Sequence, residues 1–302
     1  MNMTREDIIK KFQKLNPWKR GEERAVHKPL LVLYAMGKLL GGEDCTGRFT
    51  SYVDIETHLP DLLREFGPWR EKYNPADPFW RLQNDEVWEV TNADKIYVHQ
   101  GNASITDLRE YETSGGFPEE IADQLQNDFG LTFEIIGRLL ASHFPVTYHE
   151  DILQAVGIEL SFRIPNQPRD PKFRQNILEA YNYRCAICGF NVKLRDRPVA
   201  LEAAHIKWRM AEGPDKEGNG LALCSLHHKL FDRGAFTLSN QLEVRVSEHV
   251  DKTSVGFEEW LKQFDGREIN FSPREQIYYP NEDFTEWHLK EVFKGNYNES
   301  SW

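Results

Sequence analysis

Cysteine is scarce in this chain, four in 302 residues. That is too few for a disulfide scaffold, and the expected compartment is a reducing cytoplasm. Long apolar runs are missing as well. No stretch approaches a membrane span, and Met1–Lys19 is polar and charged, without the apolar centre of a signal peptide. Internal repeats and low-complexity segments are absent. What is present is globular: 40% hydrophobic and 28% charged residues, enough apolar material for real cores and against a disordered or fibrous chain. This length suggests two domains, with room for an extension.

The net charge of −11 argues at first against a nucleic-acid partner, but its distribution argues otherwise. Ser161–Ala235 carries 13 Lys+Arg against 8 Asp+Glu, and Met1–Tyr34 carries 8 against 4. Two locally basic surfaces on an acidic body are compatible with phosphate binding, because the local field matters more than the total.

Periodicity divides the chain. Thr4 is a candidate N-cap ahead of Ile8, Phe12 and Leu15 on one helical face. A helix from Pro29 to Leu40, stopped by Gly41-Gly42, is apolar nearly all round and reads as the buried central helix of a first domain. Residues 79–98 read as β-rich, with Asn84-Asp85 as a hairpin turn between Phe79–Leu82 and Val87–Val90. Helices return at Ile121–Phe129, Phe133–Leu140 and Glu150–Val156, with Gly157 as a C-cap. Pro165, Pro168 and Pro171 make a stiff connector. The expected division is 1–160, a linker at 161–172, a second domain at 173–250, and an extension at 251–302. The extension is expected to pack on the second domain through Trp260, Trp287 and Phe293. The fold class is α+β.

The informative chemistry lies in three strings: Cys185-Ala-Ile-Cys188, Glu202-Ala-Ala-His205, and Asn219-Gly-Leu-Ala-Leu-Cys224-Ser-Leu-His227-His228. Two ligand pairs of x-x spacing, Cys185/Cys188 and Cys224/His227, suit a tetrahedral structural Zn²⁺ site.

The order His205, Asn219, His228 around such a knuckle resembles the HNH nucleases, with their ββα-metal fold. The strings Ala204-His205-Ile206, Asn219-Gly220-Leu221 and Phe231-Asp232-Arg233-Gly234 are similar to the restriction-type branch. The resemblance implies a DNA endonuclease in which His205 is the general base and His228 ligates a catalytic Mg²⁺ or Mn²⁺. It also implies that Asn219 orients the motif or joins the metal shell. The family often has Asp directly before the first His; here that residue is Ala204, leaving Glu202 or Asp232 as candidate carboxylates. Lys207, Arg209 and Lys229 flank the site as candidate holders of DNA phosphates.

Two strings mark the first 160 residues: Arg24-Ala-Val-His27-Lys28-Pro29-Leu30-Leu31, and Asp77-Pro78-Phe79-Trp80-Arg81 followed by Leu82-Gln83-Asn84-Asp85. They resemble the sulfur-binding domain attached to HNH nucleases that restrict phosphorothioate-modified DNA. Sulfur in place of a phosphate oxygen is larger, softer and poorly hydrated, so its reader needs an apolar cup beside donors for the remaining oxygen. Pro78, Phe79 and Trp80 are the candidate cup, and Arg24, His27, Lys28 and Arg81 the rim. Where the family often has an aromatic residue before that Pro, this chain has Asp77, and Tyr73 is a candidate substitute.

Together these readings imply a modification-dependent, type IV-like endonuclease acting on double-stranded DNA. A homodimer is expected, because double-strand cleavage by a one-site nuclease usually needs two copies. An HNH enzyme directed by another mark, such as methylcytosine, and a zinc-stabilised DNA-binding module without catalysis stay open at this stage.

Overall fold

A computed structural model describes residues 3–15, 26–41, 47–158 and 171–296, and the chain divides into two units, Met1–Asn166 and Gln167–Trp302. In the first unit the elements run α1 (Arg5–Gln13), α2 (His27–Leu40), β1 (Phe49–Ser51), α3 (Tyr52–Phe66), α4 (Ala76–Arg81), β2 (Glu89–Val90), β3 (Val98–His99), β4 (Asn102–Ala103), α5 (Ile105–Glu110), β5 (Ser114–Gly116), α6 (Glu119–Asn127), α7 (Phe129–His143) and α8 (Val146–Ala155). Thr4 starts α1 with a reciprocal cap: its hydroxyl accepts from the Asp7 backbone N–H at 3.3 Å, and the Asp7 carboxylate accepts from the Thr4 N–H at 3.2 Å. As its pattern demands, α2 is the buried axis, covered from Pro29 to Gly37 and again at Leu39. Beyond α8, Gly157 adopts φ +73°, a left-handed turn that a glycine makes without strain.

The larger sheet of this unit is antiparallel in the order β1-β5-β2, and β3 pairs with β4 in a second, two-stranded one. Beneath it lies an aromatic core in which Phe79 meets Tyr52 and Trp88 edge-on, Trp88 meets Phe117, and Phe117 meets Phe12. Edge-to-face geometry stabilises such pairs beyond their burial.

The hairpin expected over 79–98 does not form. Phe79 lies in α4, and Leu82–Asp85 continues it as a 3-10 turn. Phe79 and Leu82, three apart, both reach the core with no exposure, which a helical turn permits and a strand does not. Glu89–Val90 is a strand, but its partner is the distant β5.

The second unit begins with α9 (Pro171–Ala180). Then come β6 (Lys193–Leu194) paired with β7 (Arg197–Pro198), β8 (Leu201–His205), β9 (Gly220–Cys224), α10 (Ser225–Asp232), β10 (Phe236–Leu238) paired with β11 (Val244–Val246), α11 (Val255–Trp260) and α12 (Glu282–Glu291). The antiparallel pair β8–β9 runs in register from Leu201 opposite Cys224 to His205 opposite Gly220, and α10 follows it directly. This strand–strand–helix unit is built on a core of Phe173, Ile177, Ala204, Leu221, Leu223 and Phe231.

Residues after Asp251 are woven into the same unit. The Phe271 N–H donates to Ala186 O, Asn281 N–H to Gly218 O, and Lys294 N–H to Gly234 O, at 2.9–3.2 Å. Trp287 and Phe293 are buried, but Trp260 is 41% exposed, so it contributes its backbone rather than its ring. Among the described residues no helix is long and apolar enough to cross a membrane.

Candidate functional site

The four donors expected at a metal knuckle do converge. One ligand atom from each of Cys185, Cys188, Cys224 and His227 lies within 4.8 Å of the others. Cys224 Sγ is 3.2 Å from His227 Nδ1, Cys185 Sγ is 3.8 Å from the same nitrogen, and Cys188 and Cys224 sulfurs are 3.9 Å apart. Tetrahedral Zn²⁺, with bonds of about 2.0–2.3 Å, needs edges of roughly 3.5–3.8 Å, so the cluster fits the ion. The Cys185–Cys188 turn is the knuckle, and the other pair straddles the junction of β9 with α10.

The electrostatics agree. Hydrogen bonds from Cys185 and Cys188 hold the Cys224 thiol far below its ordinary value. Cys185 is pushed up by Cys188, Cys224 and burial. Burial disfavours a charged His227, yet Cys188 and Cys224 together push it up to about 9. One thiolate forms readily and the next resists. A bound dication removes that conflict.

A second cluster sits on β8 and α10. Glu202 Oε2 is 2.6 Å from His228 Nδ1, and Ser225 donates its hydroxyl to Glu202 Oε1 at 2.6 Å. Asp232, one helical turn beyond His228, places Oδ2 3.4 Å from His228 Nε2. The His228 and Asp232 side chains are almost fully buried, at 7% and 4% exposure, whereas Glu202 retains 32%. A strand residue and two helix residues thus converge because α10 follows β9 without a loop.

His205 forms the third group, at the end of β8. Its Nε2 is 2.7 Å from Asp215 Oδ1, and Phe173 stacks on its ring with centroids 4.2 Å apart. Arg209 Nε lies 3.5 Å from the same Asp215 oxygen. Between His205 and Asp215 runs a loop clamped by Asn219. The Asn219 amide donates to Lys207 O and to Pro214 O, both at 2.9 Å, and its oxygen accepts the Lys207 N–H at 2.8 Å. Gly213 closes this loop against Lys207; a Cβ there would fall 1.9 Å from the Lys207 carbonyl oxygen.

Two expectations are therefore corrected. Asn219 has no exposure and its amide is spent on backbone, so it braces the loop and is not available to a metal shell. Lys207 is buried at 8% exposure, which removes it from the surface cations, while Arg209 and Lys229 are exposed. Asp215 had no signal in the sequence, since it meets His205 only through loop geometry.

In the first unit, Arg24 lies outside the described residues. His27, Tyr73, Trp80 and Arg81 are partly exposed. Burial pushes His27 below its ordinary value; the Arg70 charge adds to this and Asp77 opposes it. The Tyr73 hydroxyl donates to Pro68 O at 3.0 Å and accepts the Arg70 N–H at 3.1 Å. Arg81 donates to Asn102 Oδ1 on β4 at 2.6 Å.

Three residues expected at this surface are elsewhere. Phe79 belongs to the aromatic core, Pro78 is buried in the first turn of α4, and Lys28 forms a part-buried ion pair with Asp85. Burial of apolar rings outweighs their display, and Asp85, 4% exposed, could not be covered without a cation. Exposed Arg70, which the sequence did not single out, is a cation whose charge acts on His27.

Comparison with known proteins agrees with both halves. A model of the ScoMcrA-like DNA sulfur-binding domain matches residues 5–161, more than half of the chain, and an HNH endonuclease model matches residues 185–239. No curated protein matches. Among solved structures, a sulfur-binding domain of ScoMcrA complexed with phosphorothioated DNA is 18% identical (TM-score 0.43), covering 50% of this chain and 94% of its own. That of SprMcrA, also with phosphorothioated DNA, is 21% identical (TM-score 0.42), covering 51% and 94%. The type IV phosphorothioation-dependent restriction endonuclease ScoMcrA is 20% identical (TM-score 0.43), covering 54% of this chain and 35% of its own. The chain belongs to the ScoMcrA-like DNA sulfur-binding family and carries an HNH endonuclease domain behind that module.

Proposed function

We propose that this chain is a modification-dependent DNA restriction endonuclease whose first unit reads phosphorothioated DNA and whose second hydrolyses nearby phosphodiester bonds. The observation that carries the reading is the strand–strand–helix unit pinned by Cys185, Cys188, Cys224 and His227, with His205 on β8 and His228 on α10.

In this reading a neutral His205 takes a proton from water as the oxygen attacks phosphorus. His228 and Glu202, with Asp232 behind them, would hold Mg²⁺ or Mn²⁺; an imidazole with carboxylates suits either ion. Such a cation supplies positive charge against the non-bridging and leaving oxygens. Glu202 would take the place of the carboxylate that Ala204 cannot supply. Arg209 and Lys229 would hold the DNA backbone.

For sulfur reading, Tyr73, Trp80 and Arg81 with His27 and Arg70 make the accessible surface around α4. Aromatic carbon is the apolar contact and the cations address the remaining oxygen. Asp77 must face away from the phosphate. Cutting both strands calls for two copies, so a homodimer on DNA is part of the proposal.

The test uses plasmid pairs, sulfur-modified and plain, with Mn²⁺. Selective cutting supports the proposal. Equal cutting removes sulfur reading, and no cutting of either removes the nuclease.

A further inference from the structure

We infer that Asp215 is the positioning residue of the nuclease, holding His205 in one tautomer and steadying the charge the ring gains when it takes a proton. The inference rests on His205 being the base.

A carboxylate only accepts hydrogen bonds, and a neutral imidazole carries one N–H. With Asp215 Oδ1 2.7 Å from Nε2, the proton of the neutral ring belongs on Nε2, and Nδ1 is left with the lone pair. Nδ1 is then the nitrogen that receives the proton from water; the water oxygen bonds to phosphorus as the bond from phosphorus to one strand oxygen breaks, and that oxygen leaves with the electron pair and takes a proton from solvent water. The resulting imidazolium keeps its Nε2–H on Asp215, whose negative charge faces the new positive one. No co-reactant beyond water is needed.

The surroundings suit such a role. The His205 side chain is only 15% exposed and that of Asp215 25%, although Asp215 as a residue lies at the surface of its loop. Phe173 fixes the plane of the ring by stacking at 17°. Arg209 Nε approaches the same carboxylate oxygen at 3.5 Å, a second contact on the side chain that meets the ring. Asn219 ties Lys207 to Pro214, one residue short of Asp215 and two beyond His205. The loop therefore delivers the carboxylate to the ring as a fixed distance, unlike a chance surface ion pair.

Two readouts test this on the full chain with its zinc. The first is the ¹⁵N resonance pattern of the His205 ring at pH 8 without added Mg²⁺ or Mn²⁺. We expect the Nε2–H tautomer to dominate in wild type and a mixture of tautomers in Asp215→Ala; an Nδ1–H ring in wild type overturns the inference. The second is kinetic. Asp215→Asn should lower kcat about a hundredfold or more, with KM for DNA and zinc content unchanged, and Asp215→Glu should recover part of the loss. Asp215 variants within threefold of wild type, beside an inactive His205→Ala, refute the positioning role alone. Loss of zinc or heat stability together with activity makes Asp215 structural and equally refutes it. If wild type cuts no DNA, the endonuclease reading fails, while the tautomer measurement still decides the role of Asp215.

Discussion

The Nε2 of His227 donates to the backbone carbonyl of Trp260 at 2.9 Å. That bond leaves Nδ1, 3.2 Å from Cys224 Sγ, as the ligating nitrogen. A neighbour that fixes the tautomer and angle of a ligand histidine is part of the metal site. The C-terminal extension is thus tied to the Cys185–Cys188–Cys224–His227 cluster and does more than cover it.

Cys188→Ser should accordingly lose zinc and unfold the second unit, because structural zinc contributes on the order of 10 kcal/mol of folding free energy. Ending the chain at residue 250 should unfold the second unit as well, because it removes the Trp260 carbonyl together with buried Phe264, Trp287 and Phe293. Metal content and calorimetry check both. A zinc-free Cys188→Ser protein with wild-type melting would contradict the site.

Lys28→Met tests the reassignment of Lys28. Removing the cation from its part-buried pair with Asp85 should cost about 1–3 kcal/mol in urea unfolding. The folded fraction should still shift phosphorothioated DNA in a gel. Full stability with lost binding would return Lys28 to the DNA surface.

Stability of the first unit should fall with acid. Burial pushes His149 below its ordinary value, although its hydrogen bond to the Phe144 carbonyl at 3.0 Å opposes this; His27 is depressed by burial and by Arg70, against Asp77. For a histidine with a lowered folded value, the unfolded chain binds the proton first. The contribution is therefore complete above about pH 6.5, the unfolded value, and is lost as pH falls below it. Melting temperature between pH 8 and 5 should drop, and His149→Gln should flatten the profile. A profile that His149→Gln leaves equally steep assigns the acid sensitivity elsewhere.

Asn219→Ala removes three hydrogen bonds that clamp the loop between His205 and Asp215. Catalysis should fall at least tenfold, with zinc retained and stability lowered by about 2–3 kcal/mol. Unchanged cleavage would mean the loop holds its shape without the clamp.

Much of the second unit was legible because its chemistry is local. Cys185/Cys188 and Cys224/His227 are close in sequence and each pair is placed by one turn, so spacing alone predicted their convergence. The α2 helix was legible for a similar reason, since an all-round apolar run has one way to be buried. The misreadings share a cause. Phe79 and Leu82 look strand-like beside Trp88, and helical geometry wins only because distant Tyr52 and Phe117 complete the core. Lys28 looks like a phosphate ligand until Asp85 is brought to it, and Asp215 meets His205 through a loop whose path no periodicity records.

The most direct measurement is cleavage of sulfur-modified and plain plasmid by the wild-type chain and by His205→Ala, in Mn²⁺, beside a gel shift on matching duplexes. The account predicts that wild type cuts only the modified plasmid. His205→Ala should cut neither by about 10²–10⁴-fold, yet shift the modified duplex as tightly and keep its zinc. Undiminished cutting by His205→Ala would contradict the account at its centre.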